Sequence, residues 1–169
     1  MSLEIRHETG DDIFRIRAIN VRAFGRQEEA RLVDSLCAEG YAKLSLVAEE
    51  EGQIIGHIMF SEAVIHTGEE DVAALALGPV GVIPERQSRG ISSAMIREGL
   101  GHCAEAGDNI VVLLGHPGYY PRFGFSPDLA KNLNSVHAGE AFMALELTPD
   151  ALSGVAGDFH FAPPFEAVS

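Results

Sequence analysis

Cysteine is scarce: Cys37 and Cys103 are the only two in 169 residues. Both fall in segments of helical pattern without metal-ligand spacing, so a reducing cytoplasm is the simplest setting. Basic residues are also few, 12 Lys and Arg against 25 Asp and Glu, for a formal net charge of −13. Phosphate backbones demand a basic face, so nucleic acid is not an expected partner. The acidity has two readings: it keeps a cytosolic protein soluble, or its field draws in a cationic substrate. No apolar run reaches the length of a membrane span, because LALGPVGVI stops at Pro84. The opening MSLEIRHETG lacks the order of a signal peptide, so neither membrane nor export is expected. Repeats, linkers and low-complexity segments are missing. So are the nucleotide fingerprints GxxxxGK(S/T) and GxGxxG. His57, His66, His102, His137 and His160 are too scattered for a metal site and read as surface or partly buried residues.

What is present is an ordinary globular composition, 46% apolar and 22% charged, long enough for one domain over residues 1–169. Alternation predicts strands at Leu3–Glu8, Leu44–Glu49 and Gln53–Ile65, the last two a hairpin around EEEGQ. Thr9 and Asp12 form a capping-box pattern opening a helix to Phe24, and a second helix runs from Gln27 to Ala38. Val72–Ile83 is a strand broken by Gly78-Pro79, the sign of a bulge or of pairing that stops. A helix from Gly90 to Ala106 carries Gly99 and Gly101, where close packing is expected. NIVVLL, Asn109 to Leu114, is a strand buried on both faces, as in a parallel pair. Further strands are expected at Ala141–Leu147 and Gly157–Ala162, with a short helix from Thr148-Pro149 between them and an irregular tail. The fold class is α+β (mixed α/β), with about seven strands and about four helices.

Chemistry concentrates in PERQSRGISSAM, Pro84 to Met95, where three arginines from Arg86 to Arg97 stand without a carboxylate in an otherwise acidic chain. A helix N-terminus has free N–H groups and a positive dipole end, which suit a phosphate. Residues Gln87, Ser88, Arg89, Gly90, Ile91, Ser92 and Ser93 would turn successive amides into one concavity. Gly90 permits a conformation, or a close approach, that a side chain would block. Arg86 and Arg89 could add charge-assisted bonds. The plain alternative is a solvated strand-to-helix turn. The broken strand upstream favours a ligand, because unpaired backbone groups must find partners.

The run Val80-Gly81-Val82-x-Pro84-Glu85-x-Gln87-x-Arg89-Gly90-Ile91 resembles the acetyl-CoA motif of the GNAT superfamily of N-acetyltransferases, written Q/R-x-x-G-x-G/A. LGHPGYYPRFGF, Leu114 to Phe125, is similar to the bacterial YhbS-like subgroup, and the order of elements fits from about Leu3 to Leu147. The resemblance implies a single GNAT domain: a central, mostly antiparallel sheet with a splayed parallel pair holding the thioester. It implies acetyl-CoA as co-substrate and a primary amine as acceptor, joined by direct attack in a ternary complex. Val80, Gly81 and Val82 would pair with the pantetheine arm, and Gln87 to Ser93 would hold the pyrophosphate. Ser92 departs from the pattern, which expects Gly or Ala.

Acetyl transfer needs a neutral amine, oxyanion stabilisation and a proton for the leaving thiolate. By the resemblance, Tyr120, four residues before Gly124, is the general acid; Tyr119 reads as structural. The Val80 N–H is the oxyanion candidate. The family's glutamate on the bulged strand is replaced by Ala73, Ala74 and Ala76, so the base stays open. His116 has a suitable intrinsic pKa, but its Gly-His-Pro-Gly setting equally suits a turn cap. Glu62 and water are further choices. Two other functions compete with the enzyme, a non-catalytic acyl-CoA sensor and a plain interaction domain. A homodimer is compatible with this class of soluble protein.

Overall fold

The computed structural model of the chain describes residues 2–167. Its strands are β1 (Leu3–His7), β2 (Ala42–Glu50), β3 (Gln53–His66), β4 (Asp71–Val82), β5 (Ile110–Leu114), β6 (Leu133–Asn134), β7 (Phe142–Glu146) and β8 (Gly157–Phe161). They form one sheet in the order β1-β2-β3-β4-β5-β7, with β8 pairing both β3 and β6. Pairing is antiparallel except at β4–β5 and β6–β8. Three helices, α1 (Ile13–Phe24), α2 (Glu28–Ala38) and α3 (Ile91–Glu105), complete the mixed α/β fold. None is long and apolar enough to cross a membrane.

The pleat of β3 decides which helix lies where, because successive residues face opposite sides. Gly56 turns toward α3, and a methyl added there would stand 3.1 Å from the Met95 side chain. His57 turns toward α1, where its Nδ1 lies 3.2 Å from Asn20 Nδ2; its Nε2 lies 2.8 Å from Ser45 Oγ. The sheet is thus sandwiched, with Ile16, Ile19, Leu32 and Leu36 on one side and Met95 and Ile96 on the other. His57 is fully buried, against the expectation of a surface or half-buried histidine. Two side-chain partners satisfy the ring, and burial holds its pKa down to about 3, so it stays neutral.

The start of α1 follows the capping signal. The Asp12 carboxylate accepts the Thr9 N–H at 2.7 Å and the Arg6 guanidinium at 2.8 and 3.1 Å. Those donors hold its pKa down to about 2 although the residue is buried. In α3, a methyl at Gly99 would overlap the Phe60 ring, whereas Gly101 has no neighbour at its Cβ position. Close packing therefore explains the first glycine and not the second.

Three local expectations change. After Thr148 the chain makes consecutive tight turns, Ala151 to Thr148 and Ser153 to Asp150, and no helix. Asp150 takes a left-handed conformation, φ 63°, which a right-handed helix cannot accommodate. The tail instead contains a 3-10 turn, Pro163–Ala167. An eighth strand, β6, contributes only two residues, too few to show a period.

Candidate active site

The site begins where two strands part. β4 pairs in parallel with β5 only at Leu75–Val111 and Ala76–Val112. On its other side, Phe60 faces Leu77 and Ile58 faces Val80, so Gly78 and Pro79, joined by a cis peptide bond, both stand opposite Met59. This is the bulge the Gly-Pro pair predicts. Past it, β4 has an open edge. Ile83 N–H donates to Ile55 C=O at 3.0 Å, and antiparallel alternation turns Gly81 the same way, toward β3. The polar backbone groups of Val80 and Val82 therefore lie on the open edge, and Gln87 Nε2 donates to Val82 C=O at 3.0 Å. Gly81 serves the opposite face: a methyl there would stand 3.1 Å from Ala23 Cβ and 3.2 Å from the Phe24 ring. It lets α1 approach the sheet.

The turn into α3 is built from left-handed residues, Ser88 at φ 64° and Gly90 at φ 80°. Among the described residues nothing lies within 4 Å of a Cβ added at Gly90, so its role there is conformation, not close approach. Ala94 N–H to Gly90 C=O, 3.0 Å, starts the helix bonding, leaving the N–H groups of Ile91, Ser92 and Ser93 ahead of it. Val80, Val82, Gln87, Ser88, Gly90, Ile91, Ser92 and Ser93 line one groove of about 420 Å³. Of the residues expected to bind the cofactor, only Gly81 and Arg89 stand outside that lining.

The groove's cations differ from those the sequence suggests. Arg86 lines it, but its Nε donates to Glu50 Oε1 at 2.8 Å. Arg122 also lines it, with the guanidinium carbon 4.5 Å from the centre of the Tyr119 ring and Nε donating to Tyr119 C=O at 2.8 Å. Among the described residues Arg122 has no carboxylate partner, so its charge is available to the groove. The Tyr119 hydroxyl lies 2.7 Å from Ser92 Oγ and 2.8 Å from Ser93 Oγ. The sequence reading took Tyr119 as structural beside Tyr120 and did not single out Arg122, although both lie in the LGHPGYYPRFGF segment, three residues apart on the turn after β5.

Tyr120 points into the next cavity, about 290 Å³, lined also by Leu77, Gly78, Pro79, Val80 and Leu114. Val80 is common to groove and cavity, so Tyr120 stands where the open strand edge leads. A methyl at Gly115 would overlap its ring, which explains that glycine. Desolvation first, then the neighbouring Tyr119, pushes the Tyr120 phenol up to about 12, and it stays protonated at neutral pH. A protonated phenol beside an open backbone edge is an acid in reserve. His116 lies elsewhere: it is exposed, and its Nδ1 accepts the Gly118 N–H at 3.1 Å, the turn-cap arrangement. Glu62 is exposed and lines a separate cavity with Asp71 and Asp108. Glu29 and His137, neither singled out as a site residue by sequence, line the Tyr120 cavity.

An open-edged strand followed by a left-handed turn into a helix N-terminus offers backbone partners to an extended ligand with an anionic end, and comparison with known proteins gives the family. Residues 4–127 match the family model described as an acetyltransferase (GNAT) domain. The chain is 36% identical over 156 residues to the N-acetyltransferase YhbS of Escherichia coli (strain K12), covering 90% of this chain and 92% of that protein. It is 44% identical over 115 residues to the N-acetyltransferase YjhQ of the same organism, covering 66% of this chain and 63% of YjhQ. In structure it resembles Escherichia coli YhbS in complex with CoA, with a TM-score of 0.89, 34% identity and coverage of 97% and 92%. A Brucella melitensis GNAT acetyltransferase in complex with acetyl-CoA gives 0.81 and 38%, covering 97% and 98%. This chain belongs to the GNAT family of acetyltransferases.

Proposed function

We propose that the protein transfers the acetyl group of acetyl-CoA to a primary amine, by direct attack in a ternary complex. One observation carries this reading: Val80 and Val82, on the open edge of β4, line the groove at the α3 N-terminus, and Val80 also lines the cavity of Tyr120. The complexes of the two structural relatives with CoA and acetyl-CoA support it.

In this mechanism the Val80 and Val82 backbone pairs with the amide-bearing pantetheine arm as a strand would. The N–H groups of Ile91, Ser92 and Ser93 and the Arg122 guanidinium hold the pyrophosphate. Gln87 sets the turn through Val82. The amine nitrogen attacks the thioester carbonyl while the Val80 N–H donates to the developing oxyanion. A C–N bond forms, the C–S bond breaks, and Tyr120 gives its phenolic proton to the leaving sulfur. The nitrogen loses its own proton to water, and solvent returns a proton to the Tyr120 phenolate. Gly81 and Arg89 support the site without lining it, and His116 stays a turn residue.

The test is titration of acetyl-CoA by calorimetry, followed by thiol release with a panel of amines. Binding with amine-dependent release is the expected outcome. Binding without release from any amine would favour the sensor, and no binding would sink both.

A further inference from the structure

Arg122 reaches the groove as an exposed side chain on the short 3-10 turn Tyr120–Phe123. An exposed arginine must give up rotamer freedom before it can hold an anion. Here one neighbour has already restricted it. The guanidinium carbon stands 4.5 Å from the centre of the Tyr119 ring, and Nε donates to Tyr119 C=O at 2.8 Å. Nη2 adds a longer contact to Gly118 C=O at 3.4 Å. This seat occupies the Nε–Nη2 edge of the guanidinium, and among the described residues Nη1 has no hydrogen-bond partner. Tyr119 is in turn fixed from two directions. Its hydroxyl lies 2.7 Å from Ser92 Oγ and 2.8 Å from Ser93 Oγ, on the first turn of α3. Its ring meets Tyr120 and Phe123 edge-on, with centres 5.1 and 5.3 Å apart. A phenol carries one hydrogen, so it donates to one serine and accepts from the other. Tyr119, Arg122, Ser92 and Ser93 all line the same groove.

Resting on the acetyltransferase reading, we infer that Tyr119 is a positioning residue for the coenzyme pyrophosphate, acting through Arg122. Its ring and carbonyl hold the guanidinium at the groove wall, and its hydroxyl ties that wall to the α3 turn. The cation and the turn amides therefore meet the phosphates as one preformed site, and ordering the arginine is not left to the binding event. The ring face also suits the guanidinium electrostatically. A neutral side chain thereby sets how strongly a charged one is felt by the ligand. The roles of its parts are separable: the ring and carbonyl aim the arginine, and the hydroxyl joins the two sides of the groove.

The inference is tested by calorimetric titration of acetyl-CoA into the wild type, Tyr119→Phe, Tyr119→Leu, Arg122→Ala and the double variant Tyr119→Leu with Arg122→Ala, each at low and at moderate salt. Tyr119→Leu should weaken binding about as much as Arg122→Ala, roughly 5- to 30-fold. The double variant should bind within about threefold of either single variant, because the two residues act as a unit. Salt screens exposed charge, so Tyr119→Leu should also flatten the salt dependence of binding, although it removes no charge. Tyr119→Phe keeps the ring and carbonyl, so it should keep the wild-type salt dependence and lose less affinity. Losses that multiply in the double variant, or a wild-type salt dependence in Tyr119→Leu, would overturn the inference, since a merely structural tyrosine gives both. Tyr119→Phe keeps the test decisive if the leucine variant misfolds: a salt dependence as flat as that of Arg122→Ala would overturn the role of the ring. Wild-type protein that fails to bind acetyl-CoA sinks the acetyltransferase reading and this inference with it, whereas intact wild-type binding with independent losses sinks the inference alone.

Discussion

The Tyr119 hydroxyl meets Ser92 Oγ at 2.7 Å, across the mouth of the groove where GNAT proteins are expected to carry Gly or Ala. Serine's extra oxygen is therefore engaged inside the protein, and Ser93 shares the same phenol at 2.8 Å. The contact ties the first turn of α3 to the segment after β5. The departure at Ser92 is thus a cross-link between two sides of the groove.

Ser92→Gly removes one of two hydroxyl contacts to Tyr119 and leaves the backbone N–H in place. Acetyl-CoA affinity measured by calorimetry should change by less than ~1.5 kcal/mol, about the value of one hydrogen bond. A much larger gain in affinity would show that serine impairs the turn.

Tyr120→Phe keeps the ring that packs on Gly115 and removes the proton donor. Turnover at saturating acetyl-CoA should fall by about 10²-fold or more, the ordinary scale of general acid catalysis, with acetyl-CoA binding little changed. Because burial pushes the phenol up to about 12, wild-type turnover should show no loss from tyrosine ionisation between pH 7 and about 10. Gly115→Ala should reproduce much of the defect by displacing the ring.

Arg122→Ala should weaken acetyl-CoA binding by roughly 1–2 kcal/mol, in the range of a charge-assisted hydrogen bond in a partly exposed site. It should also flatten the salt dependence of binding. Arg89→Ala should cost less, since Arg89 does not line the groove. Equal losses from the two variants would show that the phosphates track the turn and not the groove wall.

Acid should destabilise the fold in two steps. His57 has a folded pKa of about 3, below its ordinary 6.5, so the unfolded chain binds the extra proton. Stability is then lost as pH falls from about 6.5 toward 3, at up to about 1.4 kcal/mol per pH unit for one proton. Asp12, held down to about 2 by Arg6, adds a second loss as pH falls below about 4. Urea midpoints measured from pH 7 to pH 3 check this, and replacing His57 with Asn should flatten the upper part of the curve.

The sequence announced the parts of this fold that carry a period or a break in one. The Gly78-Pro79 interruption, the continuous apolar NIVVLL and the Gln87 to Ser93 turn all lie where their chemistry placed them. What it hid depends on distance in space. Arg122 and Tyr119 reach the groove because the segment after β5 folds back on α3, a contact across 26 and 27 residues for Tyr119. Arg89 is adjacent in sequence yet does not line the groove, and Arg86 is diverted by Glu50, 36 residues earlier. His57 looked like any scattered histidine because its two partners come from α1 and β2. The two-residue β6 and the turns after Thr148 were too short, or too dependent on one left-handed aspartate, to read from pattern.

Val80 is the single residue common to the linings of the coenzyme groove and the Tyr120 cavity. In the proposed reaction donor and acceptor would therefore use separate doorways that meet at one peptide unit. The spent thiol need not depart before the amine arrives, and the acetylated product need not retreat past the coenzyme. Steady-state traffic through such a layout should give intersecting reciprocal plots, not parallel ones.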